Sequence, residues 1–211
     1  MKQRVAVFVS GGGTNLQTLL DAQADGRLQS GEIALVIASK EGVFALERAR
    51  QAGVPAVVVA RAKMLLEEFE ARCLALLTEY QIDYIALAGF LTVLSADFID
   101  RWPHKIINVH PALIPSFCGK GFFGLRVHEA ALEYGVKVTG ATVHFVNEVC
   151  DGGDIILQKA VEVLPGASAV LAALVAAGFE AEGFYFGGFL PRKEGRRRAL
   201  LQALEEGLAA L

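Results

Sequence analysis

The chain predicts an α/β fold, a mostly parallel β-sheet with helices on both faces. Three observations carry that prediction. Strand-like and helix-like segments alternate from the N-terminus onward, and the strand-like runs are apolar throughout rather than at every second residue. Three segments of chemical interest also converge, each where the carboxyl end of a strand would lie.

The elements read in order as follows. Val5–Val9 is a β-branched and aromatic run ending at Ser10-Gly-Gly-Gly-Thr-Asn15, after which Leu16, Leu19 and Leu20 recur at helical spacing. Ile33–Ala38 reads as a second buried strand, Val43–Gln51 as a helix and Val57–Val59 as a third strand. Met64–Tyr80 is helical, with Leu65, Phe69, Cys73, Leu76 and Leu77 on one face. Tyr84–Ala88 and Lys105–Val109 are the fourth and fifth strands, and Val138–Phe145 and Ile155–Val163 two more, joined by residues 146–154. After Pro165, Ser168–Ala177 reads as helix, Phe184–Phe189 as extended chain and Arg196–Leu211 as helix. The expected organisation is a domain over residues 1–164 and a C-terminal tail over residues 165–211 packed on the same domain.

A length of 211 residues at 54% hydrophobic composition suffices for one sizeable core. The net charge of −3 argues against a nucleic-acid protein working through bulk charge. Arg192, Lys193, Arg196, Arg197 and Arg198 read as a solvated basic helix face. Cys73, Cys118 and Cys150 are odd in number and far apart, with no CxxC spacing. They point to a reducing compartment, and to neither a disulfide framework nor a zinc site. Residues 1–4 lead straight into the first strand with no signal peptide, and the apolar stretch Ala169–Phe179 is too short to span a bilayer. A soluble, cytoplasmic protein with neither nucleic-acid nor membrane partner is expected.

The three segments at the strand ends are Ser10–Asn15, Gly89–Leu94 and Asn108–Pro115. The first fits a phosphate cradle and a tight turn capped by Thr14 or Asn15 equally well, and it is neither a GxGxxG nor a Walker loop. In the third, Asn108 and His110 stand two residues apart, so both side chains can point to one side, and Pro111 and Pro115 stiffen the exit. Asn108 offers a donor to an oxyanion, His110 an imidazole suited to proton transfer, and Asp151 a carboxylate to tune it. Taken alone, a histidine before a proline is more often structural, and Asp151-Gly-Gly-Asp154 is ordinary turn chemistry. The catalytic reading gains only if that turn folds back beside His110. His144 alternates with Val143 and Phe145 and reads as a hydrogen-bonded core or supporting group, while His104 and His128 read as surface. With no HxH or HxxxH spacing, no metal is expected.

Taken together these segments resemble the glycinamide ribonucleotide formyltransferases, folate-dependent enzymes of purine synthesis. The resemblance covers about residues 4–164. It rests on Val9-Ser-Gly-Gly-Gly-Thr-Asn-Leu-Gln17, Leu46-Glu-Arg-Ala-Arg-Gln-Ala-Gly53 and Leu87-Ala-Gly-Phe-Leu-Thr-Val-Leu-Ser95. It continues through Ile107-Asn-Val-His-Pro-Ala-Leu-Ile-Pro115, Gly140-Ala-Thr-Val-His-Phe-Val146 and Asp151-Gly-Gly. It implies the formyltransferase fold, which is Rossmann-like, and small-molecule substrates: glycinamide ribonucleotide and 10-formyltetrahydrofolate as co-substrate. Gly13, Thr14 and Asn15 would hold the nucleotide's phosphate. Leu91, Thr92, Val93 and Leu94, with Asn108 and the backbone of residues 146–151, would hold the folate. Asn108, His110 and Asp151 would be catalytic, with Asp151 orienting His110 and favouring its charged form. No metal or covalent intermediate is implied.

The chain departs from the family at three places. Leu66 stands where many members carry an arginine that meets the folate's glutamate tail, and Asp154 replaces a common proline. From Pro165 the chain lacks the family's acidic helix with its Glu-x-His, whose glutamate contacts the ribose. Pro165-Gly-Ala-Ser-Ala169 and Gly188-Phe-Leu-Pro-Arg-Lys193 instead resemble the ribosomal-RNA ribose methyltransferases of the tetrapyrrole-methylase family. A chimera joined near Leu164 is the expectation, with the tail as its least well packed part.

Overall fold

The computed structural model of the chain describes residues 2–163; the readings made for residues 165–211, and the division at Leu164, lie outside the described residues. Among the described residues one sheet contains β1 (Gln3–Val9), β2 (Gly31–Ala38), β3 (Ala56–Val58), β4 (Tyr84–Leu87), β5 (Ile106–His110), β6 (Val138–Phe145) and β7 (Ile155–Glu162). Their spatial order is β3-β2-β1-β4-β5-β6-β7, and β1 to β5 pair in parallel.

The unbroken apolar run Val5–Val9 of β1 follows from burial on both sides. Ala6 to Val9 are all 0% exposed. Ala6 and Phe8 face one core cluster with Phe69, Cys73 and Leu77 of α3 (Leu66–Glu79) and Phe98 and Ile99 of α4 (Ala96–Asp100). Val7 and Val9 face the other, with Leu16 and Leu20 of α1 (Thr14–Ala24) and Ala45 and Ala49 of α2 (Phe44–Gln51). Alternate residues therefore point to opposite layers, and each layer has its own helices. Phe8 anchors its layer by edge contacts to Phe90 and Phe98, with ring centroids 5.3 and 6.5 Å apart. Burial in this cluster pushes the Cys73 thiol up to about 12, with the nearby Glu70 charge adding to the effect, so Cys73 serves as packing.

The structure departs from strict strand–helix alternation at the far edge. There β6 runs antiparallel to β5, and β7 antiparallel to β6. The connection over residues 146–154 is shorter than the dozen or so residues a parallel crossover requires, so β6 and β7 can only return on each other. Two helices had no counterpart in the pattern reading, α4 and α5 (Leu125–Tyr134). Their signals are local: the Ser95 hydroxyl accepts the Phe98 amide at 3.1 Å as an N-cap, and Gly135 ends α5 in the left-handed conformation. The helix expected over Met64–Tyr80 begins later, because a 3-10 turn at Arg61–Lys63 is followed by extended backbone at Met64 and Leu65.

This topology positions a site. The chain leaves β1 toward β2 and β3, then crosses back to β4 on β1's other side, so the carboxyl ends of β1 and β4 open a crevice. Among the described residues no helix is long and apolar enough to cross a membrane, and no group of three potential ligands could hold a metal ion.

Candidate active site

The antiparallel register at the sheet's far edge gathers the polar side chains. Asn108 pairs with His144 and His110 with Thr142 across β5 and β6, so all four share one face. The turn between β6 and β7 then carries Asp151 back to that face, meeting the condition on which its catalytic reading depends. His110 Nδ1 lies 3.5 Å from Asp151 Oδ2, and His144 Nε2 lies 3.6 Å from Asp151 Oδ1. Asp151 sits in the left-handed region at φ 55°, a conformation aspartate tolerates better than most residues. Its Oδ2 accepts the Gly119 amide at 2.9 Å. Burial pushes the Asp151 carboxyl up, but the approach of His144, the Gly119 amide and the imidazole of His110 together outweigh it. The carboxyl is held below the usual aspartate range.

His110 is 3% exposed and its two nitrogens face two acceptors. Nε2–H donates to the Phe117 carbonyl at 2.8 Å, while Nδ1 faces the Asp151 carboxylate. The residues after β5 are thus tied over the histidine. Their start is moored by the buried Thr142 hydroxyl, which donates to the Ala112 carbonyl at 2.7 Å and accepts the Ile114 amide at 3.0 Å. The Asn108 amide nitrogen donates to His144 Nε2 at 3.1 Å and, more loosely, to Asp151 Oδ1 at 3.5 Å. His144 Nδ1–H donates to the Phe145 carbonyl at 2.8 Å, which leaves Nε2 as the acceptor for Asn108. His144, 2% exposed, is therefore the supporting group that sequence suggested, and it holds two of the three catalytic candidates at once. Cys118 and Cys150 flank the carboxylate. Burial first, and the Asp151 charge second, push both thiols up, so neither offers a thiolate nucleophile at neutral pH.

The glycine turn forms a second polar centre, at the end of β1. Gly13 is the N-cap of α1 in the left-handed conformation at φ 74°, and no side chain caps the helix. Capping by Thr14 or Asn15 is thus not what the turn is for: both are the first helical residues, with exposed side chains. The first amides of α1 stay available to an anion, and the helix dipole favours one. Arg48 adds a cation beside the turn, its Nε donating to the Gly12 carbonyl and its Nη1 to Gln17 Oε1, each at 2.8 Å. Gly13 is constrained twice, because a Cβ there would lie 2.7 Å from the Ala45 Cβ. Gly13→Ala is expected to cost ~1–3 kcal/mol of stability through backbone strain, with more from the forced shift of α2, as read by urea unfolding.

The third segment leaves β4 beside Asn108, which pairs with Leu87. Leu91 and Val93 are 52% and 70% exposed, whereas Leu94 is 7% exposed and packs in the core with Phe8 and Phe98. Of the residues assigned to folate, Leu94 therefore has its side chain in the core, while Leu91 and Val93 stand at the surface. A cavity of about 390 Å³, whose lining includes Ile99, His104, Phe145, Val146 and Asn147, opens next to the turn after β6.

Comparison with known proteins places these features in company. A family model described as formyl transferase matches residues 3–183, a span that runs past Pro165. The chain is 38% identical over 165 residues to the chloroplastic phosphoribosylglycinamide formyltransferase of Arabidopsis thaliana, covering 77% of this chain and 56% of that protein. It is 45% identical over 167 residues to the trifunctional purine biosynthetic protein adenosine-3 of Homo sapiens, covering 78% of this chain but 16% of that protein. The chain thus spans little more than half, or much less, of these relatives. Among solved structures, glycinamide ribonucleotide transformylase 1 from Symbiobacterium toebii matches with a TM-score of 0.72 and 40% identity, over 84% of this chain and 82% of that one. Phosphoribosylglycinamide formyltransferase from Brucella melitensis matches with a TM-score of 0.71 and 34% identity, over 100% of this chain and 98% of that one.

Proposed function

The chain belongs to the formyl transferase family, and from that premise we propose that it transfers a formyl group from 10-formyltetrahydrofolate to the amine of glycinamide ribonucleotide, a step of purine biosynthesis. The observation that carries the reading is the meeting of Asn108, His110 and Asp151 on one sheet face. On this reading the amine attacks the formyl carbon, a new C–N bond forms and negative charge develops on the formyl oxygen. The 3.5 Å bond from Asn108 to Asp151 is the loosest in the cluster, and that N–H is the one a developing oxyanion would draw away. Such a donor is worth ~3 kcal/mol of barrier. Collapse of the intermediate breaks the bond to the folate nitrogen. The amine has lost a proton and the leaving nitrogen gains one, and His110 carries it between them.

Asp151 orients the histidine and keeps its negative charge beside it. Gly13, Thr14 and Asn15 would hold the phosphate through amides at the helix start. Leu91, Thr92 and Val93 would face the folate, with Leu94 behind them and the backbone of residues 146–151 opposite. The three free cysteines support a reducing, cytoplasmic setting.

A second reading is a folded chimera with weak turnover, its segment after Pro165 derived in part from a ribosomal-RNA ribose methyltransferase. The missing Glu-x-His after Pro165 favours it. The test is formyl transfer from 10-formyltetrahydrofolate to glycinamide ribonucleotide by the full chain. Turnover comparable to the ~10 s⁻¹ median of enzymes supports the first reading, and a folded protein slower by several decades the second.

A further inference from the structure

Residues 89–95, between β4 and α4, are gripped at both ends by buried polar side chains that no step of the transfer uses. At the near end the Leu91 amide donates to Ser10 Oγ at 2.9 Å, and Ser10 Oγ also pairs with Ser39 Oγ at 2.7 Å. Ser10 and Ser39 are 4% and 2% exposed, and the Ser10 amide donates to the Gly89 carbonyl at 3.2 Å. At the far end Glu70 of α3 is 7% exposed, and its two carboxylate oxygens accept the Ser95 amide and the Ser95 hydroxyl, each at 2.6 Å. Ser95 Oγ in turn accepts the Phe98 amide, so the same grip fixes the start of α4. Between the two ends Leu91 and Val93 stand exposed while Leu94 is sunk in the core.

Burying a carboxylate is costly unless hydrogen bonds to the charged form repay it, and among the described residues no cation pairs with Glu70. Both charge-assisted bonds go to one residue, Ser95, which is where a short exposed segment must be held in a single shape. The apolar side chains that this segment holds out toward solvent, Leu91 and Val93, belong to neither core cluster. We propose that Ser10 and Glu70 are positioning residues, which hold Leu91 and Val93 as a preformed rim for the formyl donor. This rests on the folate reading of residues 91–94.

The two grips differ in reach. Ser10 also begins the glycine turn, so its hydroxyl is the common root of the phosphate-side and folate-side loops, whereas Glu70 touches only the far end of one. Glu70→Gln keeps the shape and removes the charge; Ser10→Ala removes the shared hydroxyl. With Glu70→Gln, KM for 10-formyltetrahydrofolate should rise about 5- to 20-fold, while KM for glycinamide ribonucleotide and kcat stay within about twofold. With Ser10→Ala both KM values should rise. Amide exchange at Leu91–Leu94 in the unliganded chain should quicken about tenfold in either variant.

The exchange result separates this proposal from the functional reading, since it needs no turnover. Unchanged exchange at Leu91–Leu94 in Glu70→Gln overturns the grip. In Glu70→Gln, quickened exchange with both KM values raised equally, or with kcat lowered alone, overturns the positioning role. If Glu70→Gln unfolds, Ser95→Ala, which spares the buried carboxylate and its bond to the residue 95 amide, should show the same selective KM effect at smaller size. An effect absent there counts against the proposal.

Discussion

Replacing His110 with alanine is expected to lower kcat for formyl transfer by ~10²–10⁴-fold, the range a positioned proton carrier contributes. The expectation follows from where the ring sits rather than from its being a histidine. It is buried, it lies on the face shared with Asn108 and His144, and its Nδ1 faces the Asp151 carboxylate at 3.5 Å. Its Nε2–H is also spent on the Phe117 carbonyl, so alanine removes a mooring of the residues after β5 together with the proton carrier. The loss leaves a carbonyl without its donor, a structural cost of ~1–3 kcal/mol that thermal unfolding would register. The two effects are separable. Chemistry lost with the carrier lowers kcat even at saturating substrate, whereas a displaced loop chiefly raises KM. A variant that retained wild-type kcat would remove His110 from the mechanism.

The parts of this site that were legible in the sequence are those carried by side-chain pattern along a single strand. Asn108 and His110 share parity, so their common face could be read directly, and the apolar run Val5–Val9 announced a strand with no solvent side. Asp151 was legible as a candidate carboxylate and by resemblance, but its spacing alone read equally as turn chemistry, because its approach to His110 depends on β6 and β7 running back on each other. His144 was placed as a supporting group from its alternation, yet its contact with Asn108 depends on cross-strand register, which spacing along the chain does not encode. The Phe117 carbonyl could not have been anticipated: it is a backbone atom, presented by a residue at φ 49°, and carries no side-chain signature. The inward turn of Leu94 was hidden for a related reason. In a segment without regular structure, hydrophobicity does not say which of Leu91, Val93 and Leu94 turns inward, and it is Leu94 that does.

Asp151→Asn isolates the charge at the centre of this network. Asparagine tolerates the left-handed conformation at φ 55° and can still accept the Gly119 amide, so the turn should keep its path. What is lost is the negative charge beside two imidazoles, along with an acceptor for Asn108; the amide nitrogen that replaces it would meet the Asn108 donor as a second donor. Formyl transfer should fall on the order of 10²-fold, chiefly in kcat. Stability should change in a pH-dependent way whose sign is determined. The Asp151 carboxyl titrates lower in the folded chain than in the unfolded one, so its contribution is fully present above the unfolded value near ~3.9 and is lost as pH falls through the folded value. Asp151→Asn should therefore unfold at a lower temperature than the wild type at neutral pH, and the gap should narrow on acidification below about pH 4. A gap that stayed constant down to the folded-state titration would mean that shape and hydrogen bonding, not charge, hold Asp151 in place, and the electrostatic role given to it in orienting His110 would fall with it.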